Sequence, residues 1–154
     1  MITQPTIPHL LDTLREELAE RVLPLIDDPT TKVNVEMVTA VLSALTVRTE
    51  NEVAWMLEEA EAIEAAADEL LPSLKDAAAV SEALEAHRAS PPSSMRLSHV
   101  AESYQRASEL LSRLAEAAYA SGDDNAIAEV QSLINARLAI ELEAIGEFVA
   151  VGRG

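Results

Sequence analysis

The sequence predicts an all-α fold, a bundle of about five helices that includes long antiparallel helix pairs. Leucine, valine and alanine recur every three or four residues along almost the whole chain, and charged residues fill the positions between them. Only 4 of the 154 residues are glycine, so few positions interrupt a helix. Because this length is typical of one hydrophobic core, we expect residues 1–154 to form a single helical bundle domain.

The first helix is predicted from its start and stop signals. Thr6 followed by Pro8 is typical of a helix start, because proline is tolerated in the first turn. Pro24 is expected to kink or end this helix, since proline removes a backbone donor. Its predicted apolar face consists of Ile7, Leu10, Leu11, Leu14, Leu18, Val22, Leu25 and Ile26.

A second, longer helical run extends from about residue 31 to residue 71, with Asp28 or Thr30 as its N-cap. The polar stretch 48–52 leaves open whether this run is one helix or two, because it contains no glycine or proline that would mark a break. Its predicted inward residues are Val38, Val41, Leu42, Leu45, Val53, Met56, Leu57, Ala60, Ile63, Ala67 and Leu70.

Residues 89–94 form a linker rich in proline and serine that follows a shorter, alanine-rich helix. Ser94 is the expected cap of the next helix, and Gly122 is expected to end it in a left-handed conformation. The apolar seam of that helix is Leu97, Val100, Tyr104, Ala107, Leu111, Leu114 and Ala118. A last helix starts near Asp123, with Ile127, Val130, Ile134, Leu138, Leu142, Ile145 and Val149 inward.

Five pairs of opposite charge lie one helical turn apart, and each adds only about a few tenths of a kcal/mol to helix stability. We therefore expect apolar burial to supply most of the stability. The pairs are Glu17 and Arg21, Arg48 and Glu52, Glu102 and Arg106, Glu109 and Arg113, and Arg137 and Glu141.

The charge balance argues against several classes of partner. With 11 basic and 27 acidic residues, the chain has a formal net charge of -16, which repels nucleic acid and anionic membrane surfaces. A basic protein would be attracted instead. There is no cysteine, no secretory signal and no apolar run of membrane-spanning length, so we expect a soluble, cytoplasmic protein.

The residues that usually form an active site do not assemble in this sequence, and we expect no enzyme activity, no cofactor and no metal. His99 and Glu102 could share a helix face, but a metal needs three or four converging ligands. Four glycines cannot supply a phosphate-binding loop. The acidic cluster Glu58, Glu59, Glu61, Glu64, Asp68 and Glu69 is interpreted as a solvated helix face.

Trp55 and Arg48 are the candidate partner-interface residues. Trp55 lies at the margin of the apolar stripe of its helix, and Arg48 lies near the same flank two turns earlier. One interpretation is that Trp55 covers the edge of its own core. The other is that it anchors a partner protein, since aromatic residues are enriched at interface hot spots.

The first third of the chain also carries a family pattern. Leu18 is followed by Val22, Leu23 and Pro24, a short turn, the run Val33-Asn34-Val35-Glu36-Met37-Val38, and then Ala40, Leu42 and Leu45. This pattern resembles small helical proteins found with aminoglycoside-phosphotransferase-like kinases and acyl-CoA dehydrogenases. The resemblance implies an accessory subunit of a kinase that phosphorylates a hydroxyacyl-CoA. The aromatic, histidine and arginine residues usual in that family are here Lys32, Val33 and Asn34, so no site residue is carried over.

Three functional hypotheses follow, beside the alternative of an enzyme with a carboxylate site that metal analysis and a His99→Ala variant would reveal. The first is a noncatalytic protein-interaction or accessory subunit, in a homodimer or in a hetero-complex with a kinase-like protein. The second is a small-molecule-binding bundle, with space between helices at Ala107, Ala117 and Ala118. The third is a homo-oligomeric structural protein, because the long second run offers more apolar length than the shorter helices cover.

Overall fold

A computed structural model describes residues 4–75 and 77–145 of the chain. The described residues are helical, with no strand among them, which confirms the predicted all-α class. The helices are α1 (Ile7–Glu17), α2 (Pro29–Leu70), α3 (Ala78–Arg88), α4 (Leu97–Ser121) and α5 (Asp124–Ile145). A π-helical turn (Leu18–Val22) and two 3₁₀ turns (Leu23–Leu25 and Leu71–Ser73) complete the helical segments.

The regular part of α1 ends earlier than Pro24, where the sequence predicted the break. Pro24 has no backbone N–H, and its ring crowds the carbonyl of the residue four positions before it. The hydrogen-bonding pattern accordingly widens to a π turn over Leu18–Val22 before the proline and tightens to a 3₁₀ turn over Leu23–Leu25. The chain then becomes extended at Ile26 and turns into α2.

Helix α2 is continuous, which answers the question that the sequence left open at residues 48–52. Asp28 is its cap: one carboxylate oxygen accepts hydrogen bonds from the Thr31 backbone N–H at 2.8 Å and from the Thr31 hydroxyl at 2.7 Å. The hydroxyl bond, and then the backbone bond, hold the pKa of Asp28 below its ordinary value.

The described residues divide into two units. Residues 4–52 and 141–145 fall in the first unit, and residues 53–75 and 77–140 fall in the second. Helices α2 and α5 therefore contribute to both. All the buried hydrophobic residues of the described chain lie in the second unit.

The second unit is a helical bundle with an alanine-rich core drawn from four helices. Helix α3 packs against α4, and the seam predicted for α4 is buried from Val100 to Ala118, with Tyr104 half-buried. Leu97, at the start of that seam, is instead exposed. The core consists of Ile63, Ala66, Ala67, Leu70, Leu74, Val80, Leu84, Ala107, Leu110, Leu111, Leu114, Ala118, Ala126, Val130 and Leu133.

The ends of α4 differ in how well the sequence predicted them. Gly122 ends the helix at a φ of 67°, as predicted. Ser94 was wrongly predicted as the N-cap, because the helix begins at Leu97 after Arg96. The Ser94 hydroxyl is engaged elsewhere: it accepts the Arg96 backbone N–H at 3.3 Å and lies 2.8 Å from Nδ1 of His99.

The prediction for α5 was right at its start and wrong farther along. Asp123 accepts the backbone N–H of Asn125 at 2.9 Å, which caps the helix. Ala126, Val130 and Leu133 make the core contact, and the neighbouring strip of the helix lies about 100–180° around the helix from Leu133. Val149 lies outside the described residues. The predicted inward residues on that strip are exposed: Ile134, Leu138, Leu142 and Ile145.

Candidate interaction surface

The two predicted partner-interface residues lie on α2 but belong to different units. Arg48 is exposed in the first unit and forms an ion pair with Glu52, one turn later on the same helix. Trp55 is half-buried in the second unit.

A polar network in the second unit joins α2, α4 and α5. The Tyr104 hydroxyl donates to Glu59 Oε2 at 2.6 Å, and Arg137 Nε donates to Glu59 Oε1 at 2.5 Å. Arg137 Nη2 donates to the Ser108 hydroxyl at 3.1 Å, and its guanidinium lies 5.4 Å from the centre of the Tyr104 ring. Only 9% of the Glu59 side chain is exposed, so these donors replace the water that the carboxylate has lost.

This network corrects two sequence predictions. Arg137 pairs with Glu59 across the bundle instead of with Glu141 on its own helix, while the other four predicted pairs are present. The acidic cluster on α2 is not a uniformly solvated face either, since Glu59 is enclosed and two further members bind Arg88. Arg88 Nε donates to Glu64 at 2.7 Å and its Nη2 donates to Asp68 at 2.6 Å, which ties α3 to α2.

The side chains of this network bond to one another, and this is a structural role. Burial, and then the hydrogen bond to Glu59, raise the pKa of Tyr104 from 10.0 to about 12, so the phenol remains protonated at neutral pH. A protonated phenol that already donates to a carboxylate is not a general base. The Glu59 carboxylate is likewise occupied on both oxygens.

His99 lies at a shallow depression formed by the linker and the start of α4. Its Nδ1 is 3.0 Å from the Ser93 hydroxyl and 2.8 Å from the Ser94 hydroxyl. The depression has a volume of about 240 Å³, opens to solvent and is lined by Ser93, Pro92 and Arg106 among others. No described carboxylate is hydrogen-bonded to the other ring nitrogen, so the orienting acid of a nucleophilic triad is not supplied there.

The described residues hold neither a cluster of metal ligands nor a helix that could span a membrane. Within the described ranges, no three histidine, cysteine, aspartate or glutamate side chains come together in a way that could hold a metal ion. Of the described helices, none combines the length and the apolar character needed to span a bilayer.

The most unusual surface of the molecule is the apolar surface of the first unit. None of its described residues is buried, although the sequence predicted that its apolar stripes face inward. Eleven large apolar side chains of this unit are instead between 37% and 82% exposed. They are Ile7, Leu10, Leu14, Val22, Leu25, Met37, Val38, Val41, Leu45, Leu142 and Ile145.

Four of these side chains form one face of α2. Met37, Val38, Val41 and Leu45 lie within an arc of about 100° at 100° per residue, and each is 40% to 53% exposed. We call them the α2 apolar face. Residues 37–47 contain no charged side chain, although charged residues make up 25% of the whole chain. An exposed helix normally carries charges on its outer side, so this segment is unusual for a solvated surface.

The threonines of the same stretch of α2 direct their hydroxyls to the backbone of the helix. Thr39 donates its hydroxyl to the Val35 carbonyl at 2.8 Å, Thr46 to the Leu42 carbonyl at 3.0 Å, and Thr49 to the Leu45 carbonyl at 2.9 Å. A hydroxyl bonded one turn back along its own helix needs no water as acceptor. The uncharged run was visible in the sequence, but its exposure was not.

Comparison with known proteins gives no further assignment. No protein-family model, no characterised protein and no solved structure matches this chain.

Proposed function

We propose that this protein is a noncatalytic helical subunit that binds another protein chain through the α2 apolar face. The observation that carries the proposal is the uncharged, exposed run of residues 37–47 in a chain of net charge -16. A contiguous apolar surface of this kind on a folded protein is typical of a protein-protein contact.

The described residues of the first unit support this proposal, because none of them is buried. Most of the stability of a helix in a protein comes from packing its apolar side rather than from intrinsic propensity. In this unit the large apolar side chains of α1 and of the first part of α2 named above are each about half exposed to solvent. A bound chain would supply the missing burial.

The specific form of the proposal is an accessory subunit of a phosphotransferase-like kinase that acts on hydroxyacyl-CoA, in the cytoplasm. The pattern from Leu18 to Leu45 supports it, and that pattern includes the α2 apolar face. Arg48, at the end of the face, is then a contact residue. Trp55 is half-buried and belongs to the second unit, so we do not include it among the contact residues.

The test is a quantitative pull-down from the native host at moderate salt, followed by mass spectrometry. The bait is the wild-type chain, a Leu45→Glu variant or a Leu97→Glu variant. Leu45 and Leu97 have similar exposure, 40% and 46%, but Leu97 lies in the second unit, so Leu97→Glu is the matched control. Both variants are expected to keep the helical circular dichroism of the wild type.

A protein that binds the wild type and the control but is lost with Leu45→Glu supports the proposal. A kinase of the phosphotransferase-like class in that position supports its specific form. Recovery of only a second copy of the chain contradicts the hetero-complex but leaves an interaction subunit. Equal recovery of every protein with all three baits contradicts the proposed binding surface.

A further inference from the structure

We propose that the depression beside His99 is a binding site for a small ligand that carries a phosphate group. The depression lies in the second unit and contains no residue of the α2 apolar face, so this proposal does not depend on the proposed function. Four features support it: the hydrogen-bond donors of the depression, the buried hydroxyl of Ser103, the charge of the lining and its size.

His99 presents a hydrogen-bond donor at this site. The Ser94 hydroxyl accepts the backbone N–H of Arg96 at 3.3 Å and lies 2.8 Å from Nδ1 of His99. Because the hydroxyl proton itself needs an acceptor, we assign Ser94 as the donor to Nδ1. The neutral ring then carries its proton on Nε2, and a protonated ring carries one there as well. Nε2 of His99 is therefore an N–H donor in either state.

Ser103 supplies a hydroxyl from a buried position on α4. Only 7% of this residue is exposed, and it lines the depression one helical turn after His99. Its hydroxyl has no hydrogen-bond partner among the described residues, whereas the Ser112 hydroxyl on the same helix donates to the Ser108 carbonyl at 3.0 Å. A buried polar group normally has a partner. The Ser103 hydroxyl is therefore available to a ligand in the depression.

Arg106 gives the depression its permanent positive charge. It shares one face of α4 with His99 and Ser103, because these residues are spaced four and three positions apart. Nη2 of Arg106 lies 3.4 Å from Glu102 Oε1, and the Glu102 side chain is 68% exposed. An exposed ion pair of this kind contributes little. The guanidinium can therefore turn to a phosphate group, to which arginine donates two parallel hydrogen bonds.

The linker adds two serine hydroxyls on a restrained backbone. Ser90 and Ser93 line the depression, and the two prolines between them fix the φ angle at consecutive positions. The Ser93 hydroxyl lies 3.0 Å from Nδ1 of His99, which holds the linker against the start of α4. Donors that are already held in place lose little conformational freedom when a ligand binds.

The composition and the size of the lining favour a small phosphate monoester. Six of the eight lining residues are polar, and Glu102 is the single carboxylate among them, so donors outnumber fixed negative charges. The volume of about 240 Å³ equals that of about eight water molecules at about 30 Å³ each, which admits a phosphate group with a short substituent. A phosphate monoester presents three acceptor oxygens, one more than a carboxylate, and can meet the donors of α4 and of the linker together.

Titration of the amide NMR signals of the full chain tests the site. The probes are inorganic phosphate, glycerol phosphate and acetate, each added at constant ionic strength because salt alone screens surface charges. The signals of Ser93, His99 and Ser103 are expected to shift to saturation with both phosphate probes. Acetate is expected to bind more weakly, since it has fewer acceptor oxygens.

Three variants assign the binding to individual side chains. Arg106→Gln is expected to weaken phosphate binding by about tenfold or more, and Ser103→Ala by about fivefold, because each removes a hydrogen bond to an anion. Glu102→Gln is expected to strengthen it by about threefold, since it removes a like charge and releases Arg106. Arg113→Gln is the matched control on the same helix: Arg113 is 44% exposed and Arg106 is 38% exposed, and the control is expected to bind like the wild type. Circular dichroism checks that each variant remains helical.

Each part of the proposal has an outcome that overturns it. The absence of a saturable shift at the depression with both phosphate probes overturns the site. Equal weakening in Arg106→Gln and Arg113→Gln also overturns it, because that result would show diffuse attraction to surface arginines. Weaker binding in Glu102→Gln overturns the anionic class of ligand, and tighter binding of acetate than of phosphate overturns the phosphate group. None of these results depends on the pull-down with Leu45→Glu, so this proposal and the proposed function fail separately.

Discussion

Replacing Arg137 by methionine tests the polar network directly. Methionine keeps much of the aliphatic length of arginine and removes the charge. Glu59, of which 9% of the side chain is exposed, then loses the donor at 2.5 Å and keeps only the Tyr104 hydroxyl at 2.6 Å. The carboxylate would be left charged and only partly compensated.

The expected cost follows from burial. Removing one partner of a fully buried ion pair costs about 3–5 kcal/mol. Arg137 itself is 28% exposed, which admits some water, so we expect a loss of about 2–3 kcal/mol in the free energy of unfolding. Arg113→Met is the matched control: its partners Glu109 and Glu116 are 58% and 69% exposed, and its expected cost is at most about 1 kcal/mol.

Urea unfolding followed by Trp55 fluorescence measures this difference. Trp55 is the single tryptophan and lies half-buried in the second unit, which also contains the network. Protein concentration is held constant, because self-association would add to the apparent stability. Glu59→Gln is expected to recover part of the loss in the Arg137→Met background, since a neutral amide is less costly to bury. Equal losses in Arg137→Met and Arg113→Met would refute the assignment of Glu59 as a buried partner.

Two further predictions concern the second unit. In a Tyr119→Phe variant, Tyr104 is the remaining tyrosine, and its ultraviolet titration is expected to have a midpoint near 12; a midpoint at 10 would contradict the hydrogen bond to Glu59. Because folding raises the pKa of Tyr104, its protonated hydroxyl contributes to the stability of the fold. This contribution is complete below pH 10 and is lost as the pH rises from 10 to 12. The Tyr104→Phe variant should not show this loss. Gly122→Ala is expected to cost about 1–2 kcal/mol in thermal unfolding experiments, since φ is 67° there; the cost comes from the backbone, because nothing lies within 4 Å of an added methyl group. Gly122→Asn should cost less. An undiminished melting temperature in Gly122→Ala would show that the left-handed turn is not required.

The helices could be predicted because their signals are local. The Asp28 carboxylate reaches a backbone N–H three residues away, and Gly122 adopts its left-handed conformation within a single residue. The four confirmed ion pairs are also local, since each spans one helical turn. Each of these features therefore involves residues within one helical turn of each other, which is why the sequence could predict it.

The features that the sequence did not predict depend on how the helices pack. Glu59 and Arg137 are 78 residues apart, and their contact requires a particular rotation of α2 and α5. Apolar residues of α5 lie on two neighbouring strips, and the core takes the strip that contains Leu133 rather than the one that contains Leu138. The exposure of Val41 is the same kind of error, because apolar spacing shows which residues share a face but not whether anything covers it.

The Arg137 guanidinium has a further consequence for the geometry of the bundle. Alanines at positions 66, 67, 107, 118 and 126 share the interior with larger side chains such as Ile63, Leu110 and Leu114. Arg137 on α5 bonds to Glu59 on α2 and Ser108 on α4, so a shift of one turn, about 5.4 Å, would break both bonds. Arg137 thus helps to fix the axial alignment of three helices, in addition to the packing of the larger core side chains.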